Sequence, residues 1–270
     1  MARDAMLRLA AAPTVFEPLT AGEERIERDD FVLFIGASST GCVQGLRCAP
    51  RDVAEVVSAA RGLARRRGVG ELTWEAFAET GEAPALAYEL TTLGMRDGQP
   101  PNAIVMGLTS TPGCSSGAVV VEPVTTVEQF RSHVAVSHEV FGRMDALPAE
   151  LERIDREGAS QLAEKRFVRY TARLDGAPVG VGTATFTEFG AMFHSGCTLK
   201  EYRKRGVYSA LVARRWRDAA DRGTSHVVVR AGRMSRPILH KLGFTELGEV
   251  RFFVDVCRSS GGVRGHEEAG

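Results

Sequence analysis

Arg203-Lys204-Arg205-Gly206-Val207-Tyr208 places three cations and one glycine directly before a stretch of helical periodicity. Residues of these types in this order suit an anion. The first turn of a helix has N–H groups with no intrahelical partner, and the macrodipole puts partial positive charge there. A glycine at the entry lets the backbone approach a phosphate with no Cβ in the way. A strand, a basic glycine turn and a helix therefore make a pyrophosphate cradle. The turn is neither G-x-x-x-x-G-K-[ST] nor G-x-G-x-x-G, so those two nucleotide-binding loops are excluded. On the six residues alone, a solvated basic turn is an equally good reading.

The surrounding pattern must position that turn. Ala191–Leu199 reads as the strand before it, with Gly196 as a natural bulge site. In the helix after it, Val207, Leu211, Val212, Trp216, Ala219 and Ala220 share one face, and Gly223 ends it. Upstream, a helix begins near Thr126 with Thr125 or Thr126 as its cap, and a more polar helix covers Glu150–Lys165. Arg166–Leu174 and Pro178–Phe186 flank Asp175-Gly176, a strong hairpin signal. Downstream come a strand at His226–Arg230, a short helix at Ser235–Leu242 ended by Gly243, and a strand at Arg251–Val256.

In the first half, residues 1–30 read as a polar, loosely held lead-in. Strands are expected at Phe31–Ile35, Val43–Arg47, Leu72–Trp74, Ala103–Leu108 and Ala118–Glu122, with a loop at Thr109–Gly117. One helix runs from Val53 to Ala64 before Gly68, and a short one carries Leu86, Leu90 and Leu93 before Gly94. The halves echo each other. Arg67-Gly68, a strand and a short helix ending Leu93-Gly94-Met95 match Arg222-Gly223, a strand and Leu242-Gly243-Phe244. The tail Ser259–Gly270 reads as disordered.

Composition sets the outer bounds. In 270 residues, 34 Lys+Arg balance 34 Asp+Glu, which argues against nucleic acid as the main partner. Residues 1–130 hold 11 basic and 17 acidic residues and residues 131–270 hold 23 and 17, so the halves stand at −6 and +6 and an anion is steered to the second. No apolar run is long enough to span a membrane, and the first residues lack the apolar core of a signal peptide. Five irregularly spaced cysteines without C-x-x-C support neither a disulfide framework nor a zinc site. A cytoplasmic protein without a metal is expected.

Residues 191–244 resemble the coenzyme-A-binding core of the GNAT acyltransferase superfamily. The family motif R/Q-x-x-G-x-G/A, after a strand and opening a helix, is matched by Arg203-x-x-Gly206-x-Tyr208 except at its last position. Ile238-Leu239-His240-Lys241-Leu242-Gly243-Phe244 is similar to the family's L-Y-x-K-L-G-F signature. The resemblance spans about 123–257, and the first half looks like a worn copy, as in the tandem GNAT proteins of high-GC bacteria. It implies an α/β (α+β) fold of two GNAT-like units, each a mixed, mostly antiparallel sheet flanked by helices. Boundaries follow at 1–122 for a degenerate unit, 123–258 for the acyl-CoA-binding unit and 259–270 for the tail.

The resemblance further implies acetyl-CoA, or another acyl-CoA, as co-substrate and N-acyl transfer to a primary amine by direct attack. The acceptor is a small-molecule amine; a protein amine, or coenzyme A binding without turnover, are the alternatives. Backbone groups of Cys197, Thr198 and Leu199 should face the thioester and pantetheine. Arg203, Lys204, Arg205, Gly206, Val207, Tyr208 and Ser209 should hold the pyrophosphate. Two departures stand out: Tyr208 replaces a small residue, and Leu239 occupies the place of a Tyr proposed as general acid. For the base, His194 on the same strand and Glu188 before it are candidates, each also readable as an ordinary strand or surface residue. Cys197 need not be a nucleophile, because the amine attacks directly. In the first half, Leu46-Arg47-Cys48-Ala49-Pro50-Arg51-Asp52 stands where the cradle would be. It lacks the glycine, loses a donor at Pro50 and adds Asp52 and Glu55, so coenzyme A is not expected there. A structural role, including a homodimer contact, is left to that half.

Overall fold

A computed structural model describes residues 2–79, 83–113, 117–164 and 167–257. In chain order the elements are α1 (Ala2–Ala11), β1 (Glu24–Glu27), β2 (Val32–Ile35), β3 (Gly41–Gln44), α2 (Val53–Arg66), β4 (Glu71–Glu79), α3 (Ala83–Thr92), β5 (Arg96–Leu108) and β6 (Val120–Pro123). They continue with α4 (Val127–Phe141), α5 (Leu147–Ala163), β7 (Phe167–Leu174), β8 (Ala177–Thr187), β9 (Gly190–Thr198), α6 (Val207–Asp221), β10 (Val227–Ala231), α7 (Arg236–Lys241) and β11 (Thr245–Val256). The tail from 259 and residues 114–116 of the expected loop lie outside the described residues, as does Lys165.

The chain forms two compact units, and neither is a continuous stretch. One comprises Leu19–Phe77, Gly81–Asn102 and Arg251–Gly270; the other comprises Met1–Pro18, Ala78–Thr80 and Ala103–Val250. The contacts therefore do not divide at 122/123. The reason is that β5 and β11 each give one end to either unit. The first unit has the strand order β1-β2-β3-β4-β11-β5, and the second β11-β5-β10-β9-β8-β7-β6. Phe253 of β11 sits in the first unit's core with Trp74, Val57 and Leu90. Met106 and Leu108 of β5 sit in the second unit's core with Phe193, Leu211 and Phe244. Each unit is a mixed sheet with helices packed on it. Antiparallel pairs such as β1 with β2 and β7 with β8 are joined by the parallel pairs β3 with β4 and β9 with β10.

The repeat read from sequence is visible in the backbone. After α2, Gly68 has φ +70 and Val69 donates to Ala64; after α6, Gly223 has φ +78 and Thr224 donates to Ala219. After α3, Gly94 has φ +87 and Met95 donates to Leu90; after α7, Gly243 has φ +95 and Phe244 donates to Leu239. Both are the glycine-terminated C-cap in which a left-handed residue satisfies the last carbonyls.

Local chemistry explains most of the elements. Thr126 caps α4 in a reciprocal capping box with Gln129. Asp175 and Gly176 both adopt positive φ, 53 and 81, as a two-residue turn between β7 and β8 requires. Two expectations need correction. Residues 1–30 are not a loose lead-in: Met6, Leu9 and Ala10 of α1 are buried, and Arg8 lies 5.7 and 5.5 Å from the ring centres of Phe16 and Phe189. Met6, Leu9 and Ala10 at i, i+3 and i+4 are a helix stripe that the flanking charges obscure. The strand at Ala103–Leu108 begins earlier, at Arg96, despite Pro100 and Pro101. That portion is the first unit's edge strand, where a residue without an N–H is tolerated.

Candidate active site

The expected site lies in the second unit, where β9 leaves β10. The parallel pairing runs Ala191↔Val227, Met192↔Val228 and Phe193↔Val229 and stops there. β10 continues to Ala231 against β5, so the stretch of β9 after Phe193 opens away from it. On its other edge β9 stays paired with β8, with an interruption. Thr183 opposes His194 and Val181 opposes Cys197, so Ser195 and Gly196 together face Gly182. This is a β-bulge, one extra residue that bends its strand. Its first residue is Ser195, held left-handed at φ 49, a conformation usually given to glycine.

The bulge sets which backbone groups face the gap. Leu199 donates to Val179 of β8 at 2.9 Å. Backbone groups alternate edges along a strand. Cys197 therefore shares Leu199's edge, toward β8, while Gly196 and Thr198 turn theirs toward the gap. Of the three residues expected to meet a thioester through the backbone, only Thr198 has the right edge; Gly196 joins it. Thr198 also carries a buried hydroxyl oxygen with no hydrogen-bond partner.

From Thr198 the chain passes into the basic turn. Arg203 donates from Nε to the Thr198 carbonyl at 3.5 Å. Lys204 and Gly206 are both left-handed, at φ 61 and 79. Gly206 caps α6 with no side-chain partner, and its carbonyl accepts from Ala210 at 2.9 Å. The N–H groups of Val207, Tyr208 and Ser209 therefore precede the first intrahelical bond. Arg203, Lys204 and Arg205 are exposed around them. Arg205 lies over the partly buried Tyr202 ring and 3.9 Å from Asp175, a carboxylate too exposed to hold it firmly.

Tyr208 fits because Gly196 is bare. A Cβ on Gly196 would come within 3.0 Å of the Tyr208 ring. Burial raises the phenol's pKa, an effect that nearby Arg215 and Ser235 partly offset. Gly180 and Gly182 play the same part on β8, where added Cβ atoms would meet Val207 at 2.6 Å and the Arg215 guanidinium at 3.0 Å. Three glycines thus let α6 lie directly on the bulged strands.

The candidate bases separate. His194 sits at the bulge, its Nε2 3.1 Å from the Thr185 hydroxyl and its ring edge-on to Phe167. Glu188 is exposed in the turn before β9. Gly190 to Ser195 is five steps of extended strand, about 17 Å, so Glu188 lies at the far end of β9 from the bulge. His240 points elsewhere, pairing with Glu246 at 2.8 Å. Leu239 is fully buried in the core. Burial pushes the Cys197 thiol up to about 11, which leaves it protonated and unreactive near neutral pH. His133 is buried in α4 with its pKa pressed down to about 4 by burial and then by Arg169. No group of three metal-binding side chains occurs among the described residues. No described helix is long and apolar enough to cross a membrane.

Among the described residues the first unit differs at the turn before its helix, where no glycine opens α2. The Arg47 side chain is held on the carbonyls of Asp29 and Arg28 at 2.7 and 2.5 Å. The segment before α2 is a single turn at Pro50–Asp52, with Asp52 at the helix entry.

A splayed parallel pair, a bulge and a glycine-opened helix define a class of fold. No protein-family profile matches the chain, and no curated protein matches its sequence. Solved structures do match. A GCN5-related N-acetyltransferase from Kribbella flavida has a TM-score of 0.65 at 15% identity, over 97% of this chain and 96% of that one. A tandem GNAT protein from the clavulanic acid biosynthesis pathway has a TM-score of 0.58 at 15% identity, over 96% of both chains. A GCN5-related N-acetyltransferase from Sphaerobacter thermophilus has a TM-score of 0.56 at 15% identity, over 95% and 92%. The fold is that of the tandem GCN5-related N-acetyltransferases.

Proposed function

We propose that this chain transfers an acetyl or other acyl group from acyl-CoA to a primary amine of a small molecule, using the second unit alone. The observation that carries the reading is the continuous path from the β9–β10 gap to the α6 entry. Backbone edges at Gly196 and Thr198, the orphan hydroxyl of Thr198 and the free first-turn N–H groups of α6 lie in sequence along it. An extended acyl-CoA matches this order: carbonyl and pantetheine along β9, pyrophosphate on Val207–Ser209 with Arg203, Lys204 and Arg205 around it.

The chemistry asks little more of the protein. The amine must be neutral to attack, and the carbonyl oxygen needs donors as charge develops on it. His194 beside the bulge is the base, accepting the amine's proton directly or through a water. Backbone N–H groups at the gap stabilise the oxygen. The first unit is a degenerate copy without a cradle and has a structural role.

Mixing protein, acetyl-CoA and a panel of small amines should release free thiol at a rate that depends on the amine. The buried, apolar Leu239 favours a second reading, coenzyme A binding without turnover. Under that reading calorimetry detects acetyl-CoA, yet no amine, peptide amines included, raises thiol release above background. Turnover with peptide amines alone would move the acceptor to protein.

A further inference from the structure

Arg215 is a charged side chain in the core of the second unit that acyl transfer, as laid out above, leaves unused. It sits on α6, one turn after Leu211, and is 1% exposed. Among the described residues no carboxylate pairs with it. Burial lowers its pKa to about 10, so it stays charged near neutral pH. Its Nε donates to the Leu211 carbonyl at 3.0 Å. Its Nη1 donates to Thr183 O at 3.1 Å and, more weakly, to His194 O at 3.4 Å. The guanidinium lies 4.4 Å from the Phe193 ring centre.

Thr183 and His194 are the facing pair at the margin of the bulge, one on β8 and one on β9. A single nitrogen therefore ties the two strands together where the register breaks. Room for it comes from the bare Gly182 and Gly196: a Cβ at either would stand 3.0 or 3.3 Å from the guanidinium. A buried cation with no counter-charge is expensive, and an apolar side chain of similar size commonly serves the core as well or better. A stability role alone is a poor account of an arginine here.

We propose that Arg215 is a positioning residue for acyl transfer: it fixes the Ser195–Gly196 bulge and so aims the backbone groups that face the gap. Ser195 is held at φ 49, a left-handed conformation that is unfavourable for a residue other than glycine. The bond to His194 O pins the peptide immediately before it. Drawing on that carbonyl also polarises the peptide's own N–H, since hydrogen bonds in series strengthen one another.

The proposal rests on the acyl-transfer reading, and its test separates the two. Arg215→Met and Arg215→Lys are made in the full chain. Melting temperature, affinities for acetyl-CoA and for coenzyme A, kcat and KM are compared with the wild type. Arg215→Met should melt at or above the wild-type temperature and bind coenzyme A within about twofold. It should lose at least tenfold in kcat with little change in KM for acetyl-CoA. Its preference for acetyl-CoA over coenzyme A should shrink, because only the thioester oxygen reads the bulge. Arg215→Lys, with one nitrogen instead of a fork, should recover part of kcat. If Arg215→Met fails to fold, the lysine variant decides by the same readouts. Wild-type kcat in either folded variant, or a loss only in proportion to unfolded protein, overturns the proposal. If the wild type releases no thiol with any amine, the acyl-transfer reading has failed, and the binding arm alone decides. A preference for acetyl-CoA lost in the variant supports Arg215's role at the bulge; an unchanged ratio overturns it.

Discussion

Replacing His194 by alanine is expected to lower kcat/KM by roughly 10²–10⁴, the usual range for a general base. The side chain stands at the bulge, opposite Thr183 and held through Nε2 by the Thr185 hydroxyl. That contact orients the ring, and the alanine variant loses both the base and its orientation. Coenzyme A affinity should change little, because the cradle begins beyond the end of β9. The loss should shrink as pH rises, since more of the amine is already neutral and needs no base. A histidine that only packs against Phe167 would behave differently: the melting temperature would drop while activity per folded molecule held. A folded His194→Ala protein with wild-type turnover from about pH 6 to 9 would remove the base from the account.

Gly206→Val should weaken coenzyme A binding at least tenfold, which is about 1.4 kcal/mol. Gly206 has φ 79 at the α6 entry, a conformation in which a branched side chain is strained. The turn is flanked by exposed Lys204 and Arg205, so the far-ultraviolet circular dichroism should be unchanged. Gly206→Ala, with the same φ problem and less bulk, should fall between. Unchanged affinity in a folded valine variant would detach the basic turn from ligand binding.

Much of this site was legible because its parts are local. Gly206, the cations before it and the helix after it are contiguous, and each type has one main conformational use. The repeat was legible for the same reason, through glycines that end helices in both units. What could not be read depended on partners distant in sequence. The exchange of β5 and β11 ends leaves no local mark, since a strand's pattern does not name its neighbour. The bulge was expected at Gly196, and glycine is indeed there, but the left-handed residue is Ser195; Gly196 is bare to admit Tyr208. Glu188 looked near His194 in sequence, yet an extended strand converts few residues into a long distance.

Arg215 was the most informative omission. It stands four residues after Leu211, where the apolar stripe of α6 would place a hydrophobe, and the sequence pattern puts Trp216 on that face in its stead. A charge on a buried stripe was itself the signal. Alternate glycines at 180 and 182 were its counterpart on the strand. Only the register of β8 with β9 shows that the two belong together.

On the proposed function, one unit of this tandem fold holds acyl-CoA along β9 and the entry of α6, and the other does not. Calorimetric titration of acetyl-CoA into the wild-type chain tests it most directly. One site per chain is predicted, weakened at least tenfold by Gly206→Val. Two equivalent sites, or no binding at all, would contradict it.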